Sequence, residues 1–172
     1  MDIKRQVETL MPEAIELRRD FHMHPELGFR EYRTSEKIAG YLRKLGMTVT
    51  ANIAQTGVTG LLNAEADGPT LIMRSDMDAL ALDEESGVDF MSKTPGLMHA
   101  CGHDASMASL LVAARVLAGR KDEIKGRILF VFQPNEEIAG ALDMITEGKL
   151  IERYHPAACM AIHYWPYLET GR

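Results

Sequence analysis

The first third of the chain has apolar residues every three or four positions, which is the spacing of a helix with one buried face. This pattern predicts a first helix over residues 3–21 and a second helix that begins at Thr34 or Ser35. The side-chain oxygens of these two residues can cap free backbone N–H groups. Pro25 disfavours helical backbone at His24, so the first helix is expected to end near that point.

Shorter apolar runs bounded by turn residues predict strands. The run 127–132 is apolar almost throughout, which is typical of a strand buried on both faces. A third helix is predicted over 104–118 and a short one over 138–145, whereas the polar stretch 83–97 predicts a long loop. The other apolar runs are 47–50, 56–62, 70–73 and 157–162. Helices that alternate with apolar runs indicate an α/β layer fold.

The composition is that of a globular chain and makes some partners unfavourable. The 172 residues carry 19 basic and 25 acidic side chains, a net charge of −6, which argues against nucleic acid and anionic membranes. No apolar run approaches the roughly 18 residues of a membrane span. The amphipathic N-terminus does not resemble a signal peptide, so a cytoplasmic protein is expected. Two cysteines make no disulfide framework, and a single Cys101–Cys159 disulfide is the minor alternative.

Three apolar runs end in acidic or imidazole side chains. These end groups are Asp76 and Asp78, then Glu136 and Glu137, then His163. In open α/β sheets, sites form in the crevice beyond the carboxyl ends of the strands. If the strands are neighbours, these groups converge there. A fourth polar pair, Cys101 and His103, opens the third predicted helix and is expected to face the same crevice.

Thiolate, imidazole and carboxylate ligands together suit zinc, manganese, cobalt or nickel better than calcium or magnesium. The adjacent Glu136 and Glu137 can divide two tasks, one binding a metal and the other taking a proton from water. Each signal alone has an ordinary explanation. The glutamates could be a solvated helix start, His163 a core histidine, and Cys101 a nucleophile near a helix N-terminus. The conjunction of all of them favours a metal site.

Two further histidines, His22 and His24, lie in the turn after the first helix. They have no third ligand nearby in the sequence. Neutral histidine commonly donates and accepts hydrogen bonds through its two ring nitrogens. We therefore predict that these histidines order the turn and do not bind metal.

Five motifs follow one another across nearly the whole chain. They are RRDFHMHPELG (18–28), RSDMDAL (74–80), MHACGHD (98–104), QPNEE (133–137) and His163. In this order they resemble the amidohydrolase branch of the aminoacylase and carboxypeptidase metallopeptidases. That branch includes hippurate hydrolases, indole-acetyl-amino-acid hydrolases and N-acetyl-diaminopimelate deacetylases.

The resemblance implies a zinc-peptidase-like catalytic domain of the α/β class, with a mixed central sheet and helices on both faces. It implies two divalent metal ions (manganese, nickel, cobalt or zinc) bound by Cys101, His103, Glu137 and His163. Glu136 is then the general base on the water held at the metals, and Asp78 supports a ligand or the base from behind. The implied reaction is hydrolysis of the amide bond of an N-acyl amino acid or a short peptide.

Members of that family are considerably longer than 172 residues. A lid domain that usually mediates dimerisation follows the position of His163, and the catalytic domain then resumes and supplies a last histidine ligand. Residues 1–172 are therefore expected to be the N-terminal portion of an incomplete catalytic domain, and the full-length parent is a candidate homodimer. Two alternatives stay open. One is an inactive truncated metal-binding fragment of such an enzyme, and the other is a hydrolase with Cys101 as nucleophile.

Overall fold

The computed structural model describes residues 2–165 and 167–169 of the chain. Within these residues, groups of one or two α-helices are separated by one or more strands, and both types of element occur along the chain as the sequence pattern predicts. In chain order the elements are α1 (Ile3–Met23), α2 (Tyr32–Lys44), β1 (Thr48–Ile53), β2 (Gly57–Leu62), β3 (Thr70–Asp76), α3 (His103–Ala118), a 3-10 helix (Lys121–Glu123), β4 (Arg127–Gln133), α4 (Ala141–Gly148), α5 (Leu150–Tyr154) and β5 (Pro156–Ala161). No helix in the described ranges combines the length and the apolar character needed to cross a lipid bilayer.

The five described strands form one mixed sheet in the order β1-β2-β4-β3-β5. The pairs β1–β2 and β2–β4 are antiparallel, whereas β4–β3 and β3–β5 are parallel. The three parallel strands therefore end at one edge of the sheet, where Asp76 of β3 lies opposite Gln133 of β4. The three apolar runs are neighbouring strands, so the condition under which their end groups converge is met. β5 lies at the edge of the sheet, and its side chains are mostly exposed.

β4 is buried on both faces, as its apolar sequence predicts. Phe130 and Phe132 pack in a core cluster with side chains of α1, α2 and α3. Leu129 and Val131 point to the opposite face, where they pack with side chains of α4 and α5. Full burial of each such side chain contributes about 1.5–3 kcal/mol. Helices thus cover both faces of a mixed sheet, and the predicted α/β class is confirmed.

The start of α2 differs from the prediction. The helix begins at Tyr32, and Thr34 and Ser35 are buried within it, so the prediction of an N-cap at either residue is wrong. The carboxylate of Glu26 accepts the backbone N–H of Arg33 at 3.1 Å and that of Thr34 at 2.8 Å. A carboxylate from the preceding loop therefore replaces the local cap, and its charge suits the positive end of the helix.

The short helix predicted over 138–145 begins instead at Ala141. The residues before it form a turn in which the N–H of Gly140 donates to the carbonyl of Asn135 at 2.7 Å. Ala139 has a φ of +114°, which is not compatible with an α-helix. The adjacent glutamate pair therefore lies in a turn after β4, not on a helix.

The stretch 83–97 contains neither helix nor strand, as predicted. It docks against the end of α1. The backbone N–H of Lys93 donates to the carbonyl of Met23 at 2.9 Å. The ring of Phe90 packs edge-on against His22, with ring centroids 5.5 Å apart. The loop thus holds the end of α1 close to the segment that leads into α3.

Candidate metal centre

Polar groups meet where β3, β4 and β5 end and α3 begins. Gly102 is the N-cap of α3 and has a φ of +86°, a conformation that glycine adopts readily and other residues rarely do. This backbone turn presents the side chains on both sides of it, Cys101 and His103, to the strand ends. His163 reaches the same place from the segment that follows β5.

Cys101, His103 and His163 lie together in the structure. The sulfur of Cys101 is 3.3 Å from Nε2 of His163. The two imidazole rings are nearly perpendicular, with centroids 5.8 Å apart. One candidate ligand atom from each of the three residues lies within 4.8 Å of the others. A single ion can contact all three donors, and their role as ligands stays a prediction.

The ring of His103 is oriented for binding through one nitrogen. Its Nδ1 donates to the backbone carbonyl of Asp78 at 2.9 Å, because a carbonyl can only accept. The other nitrogen, Nε2, is fully buried and has no hydrogen-bond partner among the described residues. An unpartnered polar atom in the interior is unfavourable unless a ligand satisfies it. The donor set and this nitrogen therefore fit a divalent metal ion.

A second group of candidate ligands shares His103. Oδ2 of Asp76 is 4.0 Å and Oε2 of Glu136 is 3.7 Å from its Nε2. Burial raises the pKa of Asp76 to about 6 although Arg74 opposes the shift. Burial would lower the pKa of His103, but Asp78 and Asp76 outweigh it and raise that pKa. The site therefore favours positive charge. Sequence reasoning placed Asp76 among the groups at the strand ends but did not name it as a ligand, although its position as the last residue of β3 was the available signal.

Asp78 connects His103 to the glutamate turn. It is 2% exposed, and Oδ2 of its carboxylate accepts the backbone N–H of Glu137 at 3.1 Å. Burial would raise the pKa of Asp78, but hydrogen bonds from His103 and from the N–H groups of Glu137 and Glu136 lower it overall. The carboxylate of Glu137 lies beside the thiol of Cys101. Glu137 nevertheless belongs to neither group of close ligand atoms found among the described residues.

The surroundings of Cys101 argue against a nucleophilic thiolate. Burial raises the pKa of this thiol to about 12, and the carboxylates of Glu137, Glu136 and Asp76 contribute. A thiol with this pKa is protonated at neutral pH and is a poor nucleophile. A bound cation would reverse the effect, because a coordinating thiol loses its proton. Cys101 and Cys159 are free thiols, so the disulfide alternative is wrong.

His22 and His24 bind protein groups, as predicted. Nδ1 of His22 lies 2.8 Å from Oδ2 of Asp104, and its Nε2 lies 3.0 Å from Oε1 of Glu84. Nδ1 of His24 donates to the backbone carbonyl of Asp20 at 2.8 Å. Sequence reasoning did not foresee that His22 joins α3 to the long loop, because neither partner is near it in the chain.

The family model of peptidase family M20/M25/M40 matches residues 72–172. This range is more than half of the chain and contains both groups of candidate ligands. The chain belongs to this family. The resemblance drawn from the five motifs is therefore confirmed.

Several M20/M25/M40 relatives and solved structures are similar to this chain. N-acyl-L-amino acid amidohydrolase of Geobacillus stearothermophilus is 36% identical, over 99% of this chain and 46% of that protein. Thermostable carboxypeptidase 2 of Saccharolobus solfataricus is 43% identical, over 98% of this chain and 46% of that protein. The structure of Bacillus subtilis YXEP, described as a dinuclear metal-binding peptidase, is 38% identical with a TM-score of 0.86, over 94% and 45% of the two chains. This chain spans less than half the length of the curated relatives it matches.

Proposed function

We propose that the chain belongs to a metal-dependent hydrolase that cleaves the amide bond of N-acyl amino acids. The observation that carries the proposal is the buried, unpartnered Nε2 of His103 between two groups of thiol, imidazole and carboxylate donors. The substrate class is supported by relatives named N-acyl-L-amino acid amidohydrolase and N-acetylcysteine deacetylase. The proposed ligands of two divalent ions are Cys101, His103, Glu137 and His163.

The charge balance of the site supports a cationic occupant. Four carboxylates lie at the strand ends, and Arg74 pairs with one of them, Asp76. Manganese, nickel, cobalt and zinc all accept this mixture of sulfur, nitrogen and oxygen donors. When bound, such ions supply positive charge that polarises an amide carbonyl and lowers the pKa of the attacking water.

The exposure of Glu136 and its distance from His103 support it as the group that moves the proton in this reaction. Its side chain is 36% exposed, so water and substrate can reach the carboxylate, and Oε2 lies 3.7 Å from Nε2 of His103. We assign it the proton of the attacking water, which it passes to the leaving nitrogen as the C–N bond breaks. The products are a carboxylic acid and an amino acid with a free amine. Asp78 orients His103 and holds the backbone of the neighbouring glutamate.

Metal content tests the proposed ligands directly. The purified chain is loaded with manganese, nickel or zinc, desalted and measured by elemental analysis. Cys101→Ala and His163→Ala should retain less metal than the wild type. Cys159→Ala and His155→Asn, which change exposed residues outside both ligand groups, should retain as much. Equal retention in all four variants would contradict the assignment.

The role of Glu136 is tested in the whole protein. Glu136→Gln should slow hydrolysis of N-acetyl and N-benzoyl amino acids by about 10²–10⁴-fold while metal is retained, because general bases contribute by that factor. Glu65→Gln, which changes an exposed glutamate on the segment after β2, serves as the matched control. An unchanged rate in Glu136→Gln would show that another group moves the proton.

The second candidate is a metal-binding fragment without activity. It is favoured by one observation, which is that this chain spans less than half the length of its curated relatives. Hydrolysis by the purified 172-residue chain that a chelator abolishes would exclude this candidate. Retained metal without hydrolysis would support it, and the hydrolase proposal would then apply to the whole protein alone.

A further inference from the structure

Glu31 is a fully buried carboxylate outside both groups of candidate ligands. It is 0% exposed and lies in the connection between α1 and α2. Its side-chain hydrogen bonds within the described part of the chain come from neutral groups. The hydroxyl of Thr56 donates to Oε2, and the backbone N–H of Asn135 donates to Oε1 at 3.0 Å. Burying a carboxylate without a charged hydrogen-bond partner is unfavourable. A buried carboxylate of this kind needs a structural reason, and Glu31 connects the turn between β1 and β2, through Thr56, to the turn after β4, through Asn135.

Asn135, the residue before the glutamate pair, is held on three sides. Its backbone has a φ of +53°, and it is 8% exposed. Gly28 packs so closely that a Cβ at that position would lie 2.0 Å from Oδ1 of Asn135. The backbone carbonyl of Asn135 accepts the N–H of Gly140 at 2.7 Å, and the backbone N–H of Asn135 donates to Glu31. These contacts fix the position of Asn135, the residue at which the chain enters the turn.

Two buried carboxylates bracket Glu136 through the backbone. Glu31 accepts the N–H of Asn135, one residue before it, and Asp78 accepts the N–H of Glu137, one residue after it. The three-residue segment is thus held at both ends. Because the backbone sets the direction of each Cα–Cβ bond, the two hydrogen bonds together restrict the positions that the carboxylates of both glutamates can reach.

We infer that Glu31 is a positioning residue, which keeps the carboxylates of Glu136 and Glu137 directed at the metal centre by holding the backbone of Asn135. The inference rests on the proposed function, since that proposal assigns the tasks of the two glutamates. Partners that orient ligands from behind typically contribute about 10–100-fold in metal affinity.

Hydrogen exchange of the metal-free protein tests the positioning role without metal or activity. The readout is the N–H of Glu137, whose acceptor is Asp78 and is left intact. Glu31→Gln should speed its exchange by about tenfold or more, because the segment is released at its other end. Glu26→Gln is the matched control. Glu26 also accepts two backbone N–H groups, but these are at the start of α2 and not in the turn. Its variant should leave exchange at Glu137 unchanged.

Cobalt binding gives the second readout, because Co²⁺ bound to a thiolate has a characteristic absorption. Glu31→Gln should weaken Co²⁺ binding about tenfold, and Glu26→Gln should not. A Glu31→Gln protein that is merely less stable, with unchanged exchange at Glu137 and unchanged Co²⁺ affinity, overturns the inference. If the wild type itself binds no Co²⁺, the proposed function fails, and the exchange experiment still decides the role of Glu31.

A milder pair of variants covers the case in which Glu31→Gln does not fold. Thr56→Val removes the hydroxyl that donates to Glu31 and keeps the β-branched shape, whereas Thr56→Ser keeps the hydroxyl. Thr56→Val should change exchange and Co²⁺ affinity in the same direction as Glu31→Gln but by less, and Thr56→Ser should restore both. No change in Thr56→Val would contradict the inference.

Discussion

Two buried histidines of this protein are alike in burial and in their acidic surroundings, yet their ring nitrogens have different partners. Nδ1 of His103 donates to a backbone carbonyl, and its Nε2 has no hydrogen bond among the described residues. In His22 both nitrogens lie against carboxylates, those of Asp104 and Glu84. Residue type and burial therefore do not distinguish a candidate ligand from a structural histidine. What distinguishes His103 from His22 is that one ring nitrogen of His103 has no hydrogen bond among the described residues and lies beside other candidate ligands.

The negative charge of the carboxylates around His22 and around His103 is also compensated in different ways. Carboxylates only accept, so both nitrogens of His22 are best occupied by protons. The hydrogen bond to Asp104 raises the pKa of His22, burial opposes this, and Glu84 adds to the rise. The guanidinium of Arg18 also donates to Asp104 at 3.2 Å. The His22 cluster thus contains its own cation, whereas the cluster at His103 has the donors that suit a metal cation.

The largest expected effect is on metal retention, which tests directly whether His103 and His22 differ as ligands. His103→Ala should abolish retention of manganese or zinc, because both candidate ligand groups share this residue. His22→Gln should retain the metal, because both of its nitrogens are already occupied. Elemental analysis after desalting measures both. If the two variants lose metal equally, the distinction between the histidines is wrong.

The next effect is on stability. His22→Gln should lower the free energy of unfolding by about 3 kcal/mol, since it leaves the buried carboxylates of Asp104 and Glu84 without their imidazolium. His24→Gln should cost about 1 kcal/mol or less, because His24 is partly exposed and hydrogen-bonds to a carbonyl. Urea unfolding measures both changes. Equal losses would mean that burial between carboxylates contributes nothing beyond an ordinary hydrogen bond.

The smallest effect is the pH dependence of the His22 contribution. Because the pKa of His22 is raised in the folded protein, folding binds its proton more tightly. The stabilisation is complete below the unfolded value, about 6.5, and is lost as the pH rises through the higher folded value. The difference in unfolding free energy between wild type and His22→Gln should therefore be smaller at about pH 9 than at about pH 6. A difference that grows with pH would show that His22 is neutral in the folded protein.

Sequence patterns predicted elements well where the information is local. The apolar run of β4 led to a strand buried on both faces, and Pro25 ended α1 near His24. Predictions failed where a distant group supplies a hydrogen bond. α2 begins early because Glu26 caps it from the preceding loop, and α4 begins late because the turn at Asn135 closes on itself.

The sequence by itself determined that candidate donors emerge together at one edge of the sheet, because side chains that directly follow parallel strands lie at the same edge. Only the tertiary structure decided which groups meet. Asp104 and Glu84 are 82 and 62 residues from His22, and Asn135 is 104 residues from Glu31. Such pairs depend on how packed helices, strands and loops are aligned with one another. That alignment is set by the packing of the whole core, so a local pattern of apolar and polar residues does not predict it.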